Sequence, residues 1–331
     1  MIGVAIIGLG NALEPHAKAL LELKDRVRVV WAAARNPERG AAATARFGFP
    51  ATTDIDAAIR DPAVDAVMVL TPANAHLPVA EAAFAAGKHV LCEKPLEASI
   101  DHAEKLVAAG RRSGRKLGMV LQLRFRPAGR RLQQVLDAGM LGEVQAAAMM
   151  VPWWRPQAYY DQPGRGVKAR DGGGVLLTQA VHTLDLFRWC LGVSAVDAAQ
   201  VRTTALHRMG TEDYASALVR LGNGAPGTII ATVAAYPGAS EWIQVIGSAG
   251  TARWEGGNLR LDFLDGRNEV LVDDSGSGSG ANVMAFSHAA HQALLSDFLD
   301  AMEQNRDPAI PGEEALATQR LIETILARGV N

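Results

Sequence analysis

The sequence predicts an α/β chain in which a doubly wound parallel sheet is followed by an α+β domain with a large open, mainly antiparallel sheet. Up to about residue 122, short continuous apolar runs alternate with helical stretches, as expected of parallel strands buried on both faces. From Gly142 onward, strand-like segments follow one another with turn signals and few helices. A chain of 331 residues is also too long for one ordinary core. We therefore predict two domains, residues 1–122 and residues 123–331.

The elements of the first domain follow from this alternation. Helical stretches lie between the apolar runs, which is the arrangement of a doubly wound sheet. The predicted strands are Gly3–Ile7, Val27–Ala33, Ala66–Leu70, His89–Leu91 and Leu117–Leu121, and the predicted helices are Pro15–Leu23, Asn36–Phe47, Ile55–Arg60, Leu77–Ala86 and Ile100–Ser113.

The second domain is predicted to begin with a helix at Pro127–Ala138. A further helix, Val175–Leu191, interrupts its strands, and the helices Val283–Glu303 and Glu313–Arg328 close the chain. We expect the C-terminal helix to pack back on the first domain. Residues 275–280 alternate Ser and Gly and are expected to form a loop. The predicted strands are Val144–Val151, Ala195–Thr204, Tyr214–Leu221, Thr228–Tyr236, Glu241–Gly247, Thr251–Trp254, Leu259–Phe263 and Glu269–Val272.

The predicted strand Thr228–Tyr236 carries no charge on either face. Ile229 and Ala231 point to one side, and Thr228 and Ile230 point to the other. A sheet covered by helices on one side only should carry charges on its other side. We therefore expect the outer face to be buried against another copy of the chain, giving a homodimer or homotetramer through the C-terminal sheet. A small polar face in water is the alternative.

Composition excludes several classes of function. The net charge of -2 gives no electrostatic reason to expect nucleic acid or an anionic membrane as a partner. The two cysteines, Cys92 and Cys190, exclude a disulfide framework and a Cys-rich zinc site, and we assign no metal. We expect no signal peptide and no membrane-spanning segment. These observations favour a cytoplasmic protein that acts on a small molecule.

The first candidate site is the glycine turn Gly8-Leu9-Gly10, which follows the first strand and precedes a helix. Glycines at such a turn let the backbone approach a pyrophosphate, which binds to amides at the helix N-terminus. We include the next residue, Asn11, among the cofactor-binding residues. The position of the third glycine in the dinucleotide-binding pattern is occupied by Leu13. The context of strand, turn and helix nevertheless predicts a dinucleotide site.

The end of the second strand bears on the choice of cofactor. An NAD site usually has a carboxylate here for the ribose 2′-hydroxyl, whereas an NADP site tolerates the phosphate. This chain has Ala34 followed by Arg35, and a guanidinium can pair with the 2′-phosphate. The sequence therefore favours NADP over NAD as cofactor. The alternative is that Arg35 lies in a solvated turn without contacting the cofactor.

Polar residues also follow the third and fourth strands of the alternation. Thr71, Pro72, Asn74 and His76 come after Ala66–Leu70, and Thr71 and Asn74 can hydrogen-bond ribose or nicotinamide. His76 can equally be structural. After His89–Leu91 come Glu93 and Lys94, which are kept extended by Pro95. Both belong to the same predicted cofactor edge, although a lysine before a turn can also be a plain surface residue.

The candidate base lies in the second domain, where Gly172-Gly173-Gly174 leads into a helix. Thr178, His182 and Asp185 are spaced i, i+4 and i+7, so one continuous helix would place them on one stripe. A histidine between a threonine and an aspartate can act as a general base, with Asp185 orienting its ring. The alternative is a core histidine that only packs.

These motifs, in this order, resemble the glucose–fructose oxidoreductase / inositol dehydrogenase (Gfo/Idh/MocA) family. The resemblance covers essentially the whole chain and implies a Rossmann domain followed by a domain whose large open sheet often serves oligomerisation. It implies that Lys94 and His182 are catalytic and that the Lys94–Pro95 bond is cis. Many members have Asp where this chain has Thr178, which puts an Asp-assisted proton relay in doubt. The motifs that carry the resemblance are the glycine turn, Thr71-Pro72 with Asn74 and His76, Glu93-Lys94-Pro95, Arg124 with Pro127, and the triple glycine with His182 and Asp185.

An aromatic stretch before the triple glycine, residues 151–160, is a candidate substrate site. Aromatic faces suit a sugar ring, and the nearby cations suit a carboxylate. Packing of the loop under its own aromatics, or against another subunit, is the alternative. The predicted substrate-binding residues are Trp154, Arg155 and Tyr160 from this stretch, together with Lys94, Arg124, Thr178 and His182.

We conclude that the sequence predicts an NAD(P)-dependent dehydrogenase or reductase with NADP preferred. It would transfer a hydride between nicotinamide C4 and a secondary hydroxyl or carbonyl of a sugar, sugar acid or polyol. Lys94 would stabilise charge on the substrate oxygen, and His182 would exchange the proton. Two alternatives remain open at this point: a dehydrogenase of aromatic dihydrodiols, and a catalytically silent NADP-binding regulator.

Overall fold

The computed structural model describes residues 1–162, 164–273 and 287–330. The predicted loop at residues 275–280 and the first residues of the predicted helix Val283–Glu303 lie outside these ranges. Within them, no helix is both long enough and apolar enough to cross a membrane.

Contacts between residues divide the chain into two compact units. Unit 1 is formed by Met1–Leu121 and His288–Ala317, and unit 2 by Gln122–Ser287 and Thr318–Asn331. The sequence predicts one boundary after residue 122, and the structure differs because residues 288–317 belong to unit 1. The chain therefore passes between the units three times.

A six-stranded parallel sheet forms the centre of unit 1 within the described residues. Its strands are Ile2–Ile7 (β1), Val27–Ala33 (β2), Ala51–Thr52 (β3), Ala66–Val69 (β4), His89–Cys92 (β5) and Leu117–Met119 (β6). The helices between them are Leu13–Glu22 (α1), Pro37–Phe47 (α2), Ile55–Arg60 (α3), His76–Ala85 (α4) and Ile100–Ser113 (α5).

The strand order of this sheet is β3-β2-β1-β4-β5-β6, and each neighbouring pair is parallel. The predicted doubly wound parallel sheet is thereby confirmed. All four residues of β4 are buried, as a strand covered on both faces requires. The order reverses between β1 and β4, and ligands of such sheets bind beyond the carboxyl ends of the strands at this point.

The second unit begins with the helix Pro127–Asp137 (α6) and continues into a large sheet. Its further helices are Gln157–Tyr160 (α7), Lys168–Asp171 (α8), Val175–Thr178 (α9) and Val181–Leu191 (α10). Its strands are Val144–Pro152 (β7), Val193–Arg202 (β8), Tyr214–Leu221 (β9), Pro226–Thr232 (β10), Trp242–Gly247 (β11), Gly250–Glu255 (β12), Asn258–Phe263 (β13) and Asn268–Leu271 (β14).

The chain closes with Ala289–Glu303 (α11), Gly312–Arg328 (α12) and the short strand Gly329–Val330 (β15). Helix α11 packs on α1 inside unit 1. In the part of unit 2 that is described, the sheet has the order β14-β13-β12-β11-β7-β10-β9-β8-β15 and is antiparallel except at β7–β10 and β8–β15. The prediction of a large, mainly antiparallel sheet is confirmed.

In unit 2, one predicted helix and one predicted strand extend further than the elements that the structure contains. The single helix Val175–Leu191 is two helices, because the amides of both Gln179 and Ala180 donate to the carbonyl of Val175 and interrupt the regular ladder. The strand predicted to reach Tyr236 ends at Thr232. The Thr232 hydroxyl donates to the Asp213 carbonyl and accepts from the Ala234 amide, so the backbone leaves the sheet there.

Candidate active site

The turn after β1 requires glycine at position 8. Gly8 has φ +101, and a Cβ atom there would lie 2.7 Å from the carbonyl carbon of Leu70. A Cβ at Gly10 would meet nothing within 4 Å, so this side of the turn is open. Leu13, which replaces the third glycine of the pattern, is buried at the first position of α1, whereas Asn11 is exposed. The turn therefore keeps the close approach between strands that its first glycine permits.

The residues after β2 leave no carboxylate at the expected ribose position. Ala34 is buried and Arg35 is exposed. The side-chain oxygen of Asn36 accepts a hydrogen bond from the Glu38 amide and caps α2. The exposed guanidinium of Arg35 is thus the group that this turn presents beside the capped helix.

The residues after β4 include a polar atom that suits a bound ligand. The hydroxyl of Thr71 is buried and has no hydrogen-bond partner among the described residues. Pro72 and Asn74 are exposed. His76 is fully buried, and its ring nitrogens lie 2.9 Å from the carbonyl of Thr71 and 3.2 Å from that of Leu96. His76 therefore holds two loops together, while Thr71 offers a hydroxyl at the sheet edge.

These features fit a dinucleotide. The turns after β1 and β4 are neighbours, because these strands pair in the sheet. At Gly8, a Cβ atom would fill the space that the backbone turn leaves open. The buried Thr71 hydroxyl has no hydrogen-bond partner among the described residues, and a bound ligand would supply one. Gly8, Gly10, Asn11, Arg35 and Thr71 are the residues at this edge of the sheet that could hold a dinucleotide.

Beyond β5, Glu93 fixes the turn that carries Lys94. Oε2 of Glu93 accepts from the Lys94 amide at 3.0 Å, and Oε1 lies 2.7 Å from Nε2 of His16 on α1. Burial alone would raise the pKa of Glu93, but the hydrogen bond from His16 and nearby positive charges lower it to about 2. Lys94 itself is partly exposed, and the peptide bond between Lys94 and Pro95 is cis. An ionised carboxylate therefore anchors the backbone of the candidate catalytic lysine.

The triple glycine of unit 2 packs against an acid that sequence reasoning did not select. A Cβ atom at Gly174 would lie 1.8 Å from the carbonyl oxygen of Glu212. The buried Glu212 carboxylate accepts from the amides of Gly174 and Leu176 at the start of α9. Burial raises the pKa of Glu212, although these bonds oppose the shift. In the sequence, Glu212 lies 38 residues from Gly174, so no local pattern indicates the contact.

The predicted stripe of Thr178, His182 and Asp185 does not form, because the helix is interrupted before His182. The Thr178 hydroxyl donates to the Gly174 carbonyl at 2.7 Å. Both oxygens of the buried Asp185 accept from the guanidinium of Arg124 at 2.7 Å. His182 lies partly exposed in the first turn of α10. The structure thus pairs two predicted site residues, Arg124 and Asp185, and gives Asp185 a role as the counter-ion of Arg124.

Within the aromatic stretch, two of the predicted substrate residues are buried. The Arg155 guanidinium lies over the Trp153 ring and donates to the carbonyl of Trp154, and burial lowers its pKa. Tyr160 packs edge-on against His207, and burial raises its pKa. These contacts agree with the alternative interpretation of this stretch, in which the loop packs under its own aromatic side chains. Trp154 is only half-buried, and its ring packs against the rings of His207 and Tyr236.

A second polar group in unit 2 was not selected from the sequence. The amide nitrogen of Gln179 donates to the Tyr159 hydroxyl at 3.2 Å, and the guanidinium of Arg165 lies 4.2 Å from the centre of the Tyr159 ring. Gln179 occupies the interruption between α9 and α10. A helix interruption is invisible to hydrophobic periodicity, so the available signal was only the polar residue beside Thr178.

Two family models match the chain. A model described as an oxidoreductase family with an NAD-binding Rossmann fold, GFO/IDH/MocA, matches residues 2–120. A model of the GFO/IDH/MocA C-terminal domain matches residues 130–253. Together they cover most of both units.

Individual proteins are similar over different lengths. A 1,5-anhydro-D-fructose reductase of Ensifer adhaerens is 34% identical over 198 residues, and the chain spans only 59% of its length, with 59% of this chain covered. A 1-carboxy-3-chloro-3,4-dihydroxycyclohexa-1,5-diene dehydrogenase of Comamonas testosteroni is 28% identical over 301 residues, covering 86% of this chain and 74% of that protein. The solved structure of the WlbA dehydrogenase of Bordetella pertussis with NADH and UDP-GlcNAcA has a TM-score of 0.85 and 29% identity, covering 99% of this chain and 96% of that one.

Proposed function

The chain belongs to the GFO/IDH/MocA family of oxidoreductases, and we propose that it oxidises or reduces a sugar, sugar acid or polyol at a secondary hydroxyl or carbonyl. The observation that carries this proposal is the turn after β5, where Glu93 anchors the backbone of Lys94. That turn lies along the same sheet edge as the glycine turn after β1 and the hydroxyl of Thr71. A named sugar reductase and a sugar-nucleotide complex among the similar proteins support the substrate class.

The roles of the side chains follow from their charges. A bound nicotinamide supplies or accepts the hydride. The ammonium of Lys94 donates a hydrogen bond to the substrate oxygen and stabilises its developing negative charge. His182 exchanges the hydroxyl proton as general acid or base. Arg124 and Asp185 hold each other as a buried ion pair, and Thr178 fixes the start of this region through Gly174.

NADP is the cofactor that we propose as preferred. Ala34 supplies no carboxylate for a ribose 2′-hydroxyl, and the exposed Arg35 offers a guanidinium for a 2′-phosphate. The similar WlbA structure holds NADH. The preference therefore depends on residues of this chain and is tested by their substitution.

Oxidation of cyclic dihydrodiols is a second candidate function. It is favoured by the similarity to a dehydrogenase of a chlorinated cyclohexadiene diol, of which the chain covers 74%. In both candidates the carbon that bears a secondary hydroxyl gives a hydride to the nicotinamide and the hydroxyl gives up its proton, so the roles of Lys94 and His182 would be the same. The two candidates differ in the substrate ring and not in the chemistry.

Turnover with a substrate panel tests the function. Sugars, sugar acids, polyols and dihydrodiols are incubated with NAD⁺ or NADP⁺, and absorbance at the wavelength of reduced nicotinamide is followed. With the best substrate, Lys94→Ala should lower kcat by about 10²–10³-fold, because the lost charge acts in the transition state. His182→Ala should lower it by about 10²–10⁴-fold, and Thr178→Val by only about tenfold.

Binding of NADP without turnover of any compound would favour a regulator instead. Full turnover in Lys94→Ala would contradict the proposed mechanism, whatever the substrate.

We also propose that the protein assembles through the outer face of its C-terminal sheet. Ile230 and Thr228 of β10 point to this face, and Leu218 of β9 lies directly opposite Thr228 and is 56% exposed. Ile246 of β11 is 46% exposed. The central part of this face, around Ile230, carries no charge and suits a second copy of the same surface.

A further inference from the structure

Three buried side chains from separate elements of unit 1 meet next to the turn that carries Lys94. His16 comes from α1, Glu93 follows β5, and His291 comes from α11. Nε2 of His16 lies 2.7 Å from Oε1 of Glu93, and the rings of His16 and His291 pack edge-to-face with centroids 5.1 Å apart. This His16–Glu93–His291 cluster lies outside the groups to which a catalytic role has been given.

The hydrogen bond within the cluster has a defined direction. Glu93 is ionised, since the pKa of its carboxyl lies at about 2, and an ionised carboxylate only accepts hydrogen bonds. Nε2 of His16 must therefore carry the hydrogen. Without this donor, a buried carboxylate oxygen would lose a charge-assisted bond that is stronger than a neutral one. The position of Glu93 thus depends on His16.

Glu93 transmits this dependence to Lys94. Its other oxygen, Oε2, accepts from the Lys94 amide at 3.0 Å. The two oxygens of one carboxylate consequently connect α1 with the backbone of the candidate catalytic lysine. A shift of this carboxylate would move the Lys94 backbone and with it the starting point of the ammonium side chain, and misplacement by even about 1 Å can lower a catalytic rate strongly.

We propose that His16 is a positioning residue for Lys94, acting through Glu93. His16 holds the ionised carboxylate, and the carboxylate holds the lysine turn in the geometry that the reaction uses. The proposal rests on the proposed role of Lys94. The His291 ring packs edge-to-face against the His16 ring and limits the orientations that the His16 ring can take beside Glu93.

Substitutions at His16 test the proposal. His16→Leu should lower kcat about 10–100-fold through loss of one charge-assisted hydrogen bond, while the Kd for the reduced cofactor changes by less than about threefold. His16→Gln keeps an N–H donor and should recover most of the activity. The matched control is His288→Leu, because His288 makes a 2.7 Å contact with Glu22 between the same two regions of unit 1 but at the surface. It should leave kcat unchanged.

A double-mutant cycle decides whether His16 acts through Lys94. In the Lys94→Ala background, His16→Leu should cause no further loss of kcat. Equal losses in both backgrounds would overturn the proposal. If Lys94→Ala alone leaves kcat unchanged, the proposed function fails, and that result does not involve His16. Should His16→Leu not fold, Glu93→Gln tests the same link with the side-chain volume kept, and wild-type kcat in that variant would overturn the proposal.

Metal analysis tests whether the His16–Glu93–His291 cluster binds a metal ion instead of positioning Lys94. The donor atoms of His16, Glu93 and His291 all lie within 4.8 Å of one another, a spacing that a metal ion could use. The positioning proposal requires the purified protein to contain no stoichiometric zinc by inductively coupled plasma mass spectrometry. One zinc per chain, lost in His291→Leu, would overturn it.

Discussion

At the scale of single residues, the NADP preference that we propose depends on one exposed arginine. Arg35 follows the buried Ala34, and the neighbouring Asn36 uses its side-chain oxygen to cap α2. No carboxylate occupies this turn to receive a ribose 2′-hydroxyl or to repel a 2′-phosphate. For the proposed recognition of a 2′-phosphate, Arg35 supplies a cation, and residues 34–36 supply no negative charge that would oppose it.

We predict that NADPH binds at least about tenfold more tightly than NADH, which corresponds to about 1.4 kcal/mol for a phosphate–guanidinium contact. Arg35→Ala should abolish most of this ratio by weakening NADPH alone. Fluorescence titration of both cofactors measures it, and Arg60→Ala provides an exposed arginine substitution at the end of α3 as control. Equal affinities in the wild type, or an unchanged ratio in Arg35→Ala, would contradict the assignment.

At the scale of elements, α11 brings a histidine into the interior of unit 1. Burial, and to a smaller extent the neighbouring His16, lower the pKa of His291 from 6.5 to about 3. Between these two values the unfolded chain binds a proton at this side chain that the folded chain does not bind. Acidification therefore favours unfolding, and this contribution to stability is lost as the pH falls below 6.5.

We predict that the free energy of unfolding falls by about 2 kcal/mol more in the wild type than in His291→Leu when the pH is lowered from 6.5 to 5.0. This interval lies above 4.5, the ordinary pKa of a glutamate, so Glu93 stays charged in both states and adds little. Urea unfolding at several pH values measures the difference. The part-buried His288 is the control, and His288→Leu should keep the wild-type slope. Parallel slopes for the wild type and His291→Leu would show that His291 titrates normally.

Local sequence patterns predicted the helices and strands better than they predicted the contacts between distant residues. Five strands of unit 1 were predicted because they are apolar runs between turns, as β1 and β4 show, whereas the two-residue strand β3 was too short to give such a run. The interruption at Gln179 was missed because apolar residues continue at helical spacing through it. The prediction for Glu93 placed it at the cofactor edge but did not identify its hydrogen-bond partner. That partner, His16, is 77 residues away in the sequence, and only the folded sheet and α1 bring the two together. The contact between Glu212 and Gly174 was missed for the same reason, because the two residues are 38 positions apart.

At the scale of the whole molecule, the outer face of the sheet of unit 2 has an uncharged centre. Pairing across β7, β10 and β9 places Ile230 between Met150 and Ser216, all partly exposed and none charged. The opposite face carries the buried Ile229 and Ala231. The centre of the outer face is therefore uncharged and is left uncovered by the chain's own described residues, whereas Arg220 and Asp197 form an ion pair nearer its edge.

We predict that light scattering at micromolar concentration gives two or four times the chain mass of 35.1 kDa. Ile230→Glu should shift the protein toward the single chain while the thermal unfolding remains cooperative, because a charge buried between two copies is strongly unfavourable. Leu264→Glu is the matched control, since Leu264 is 81% exposed in the turn between β13 and β14. A wild type that scatters as a 35.1 kDa species would refute the assembly.

The return of residues 288–317 to unit 1 has a consequence for biosynthesis. The amide of Met119 in β6 donates to the carbonyl of Ile310, and α11 covers α1. The first 121 residues therefore leave the ribosome about 200 residues before the segment that completes their fold. At synthesis rates of about 5–20 residues per second, the missing segment follows the N-terminal sheet by roughly 10–40 seconds. Until then, the apolar face of α1 and the end of β6 are uncovered. We expect this exposed apolar surface to bind chaperones during that interval.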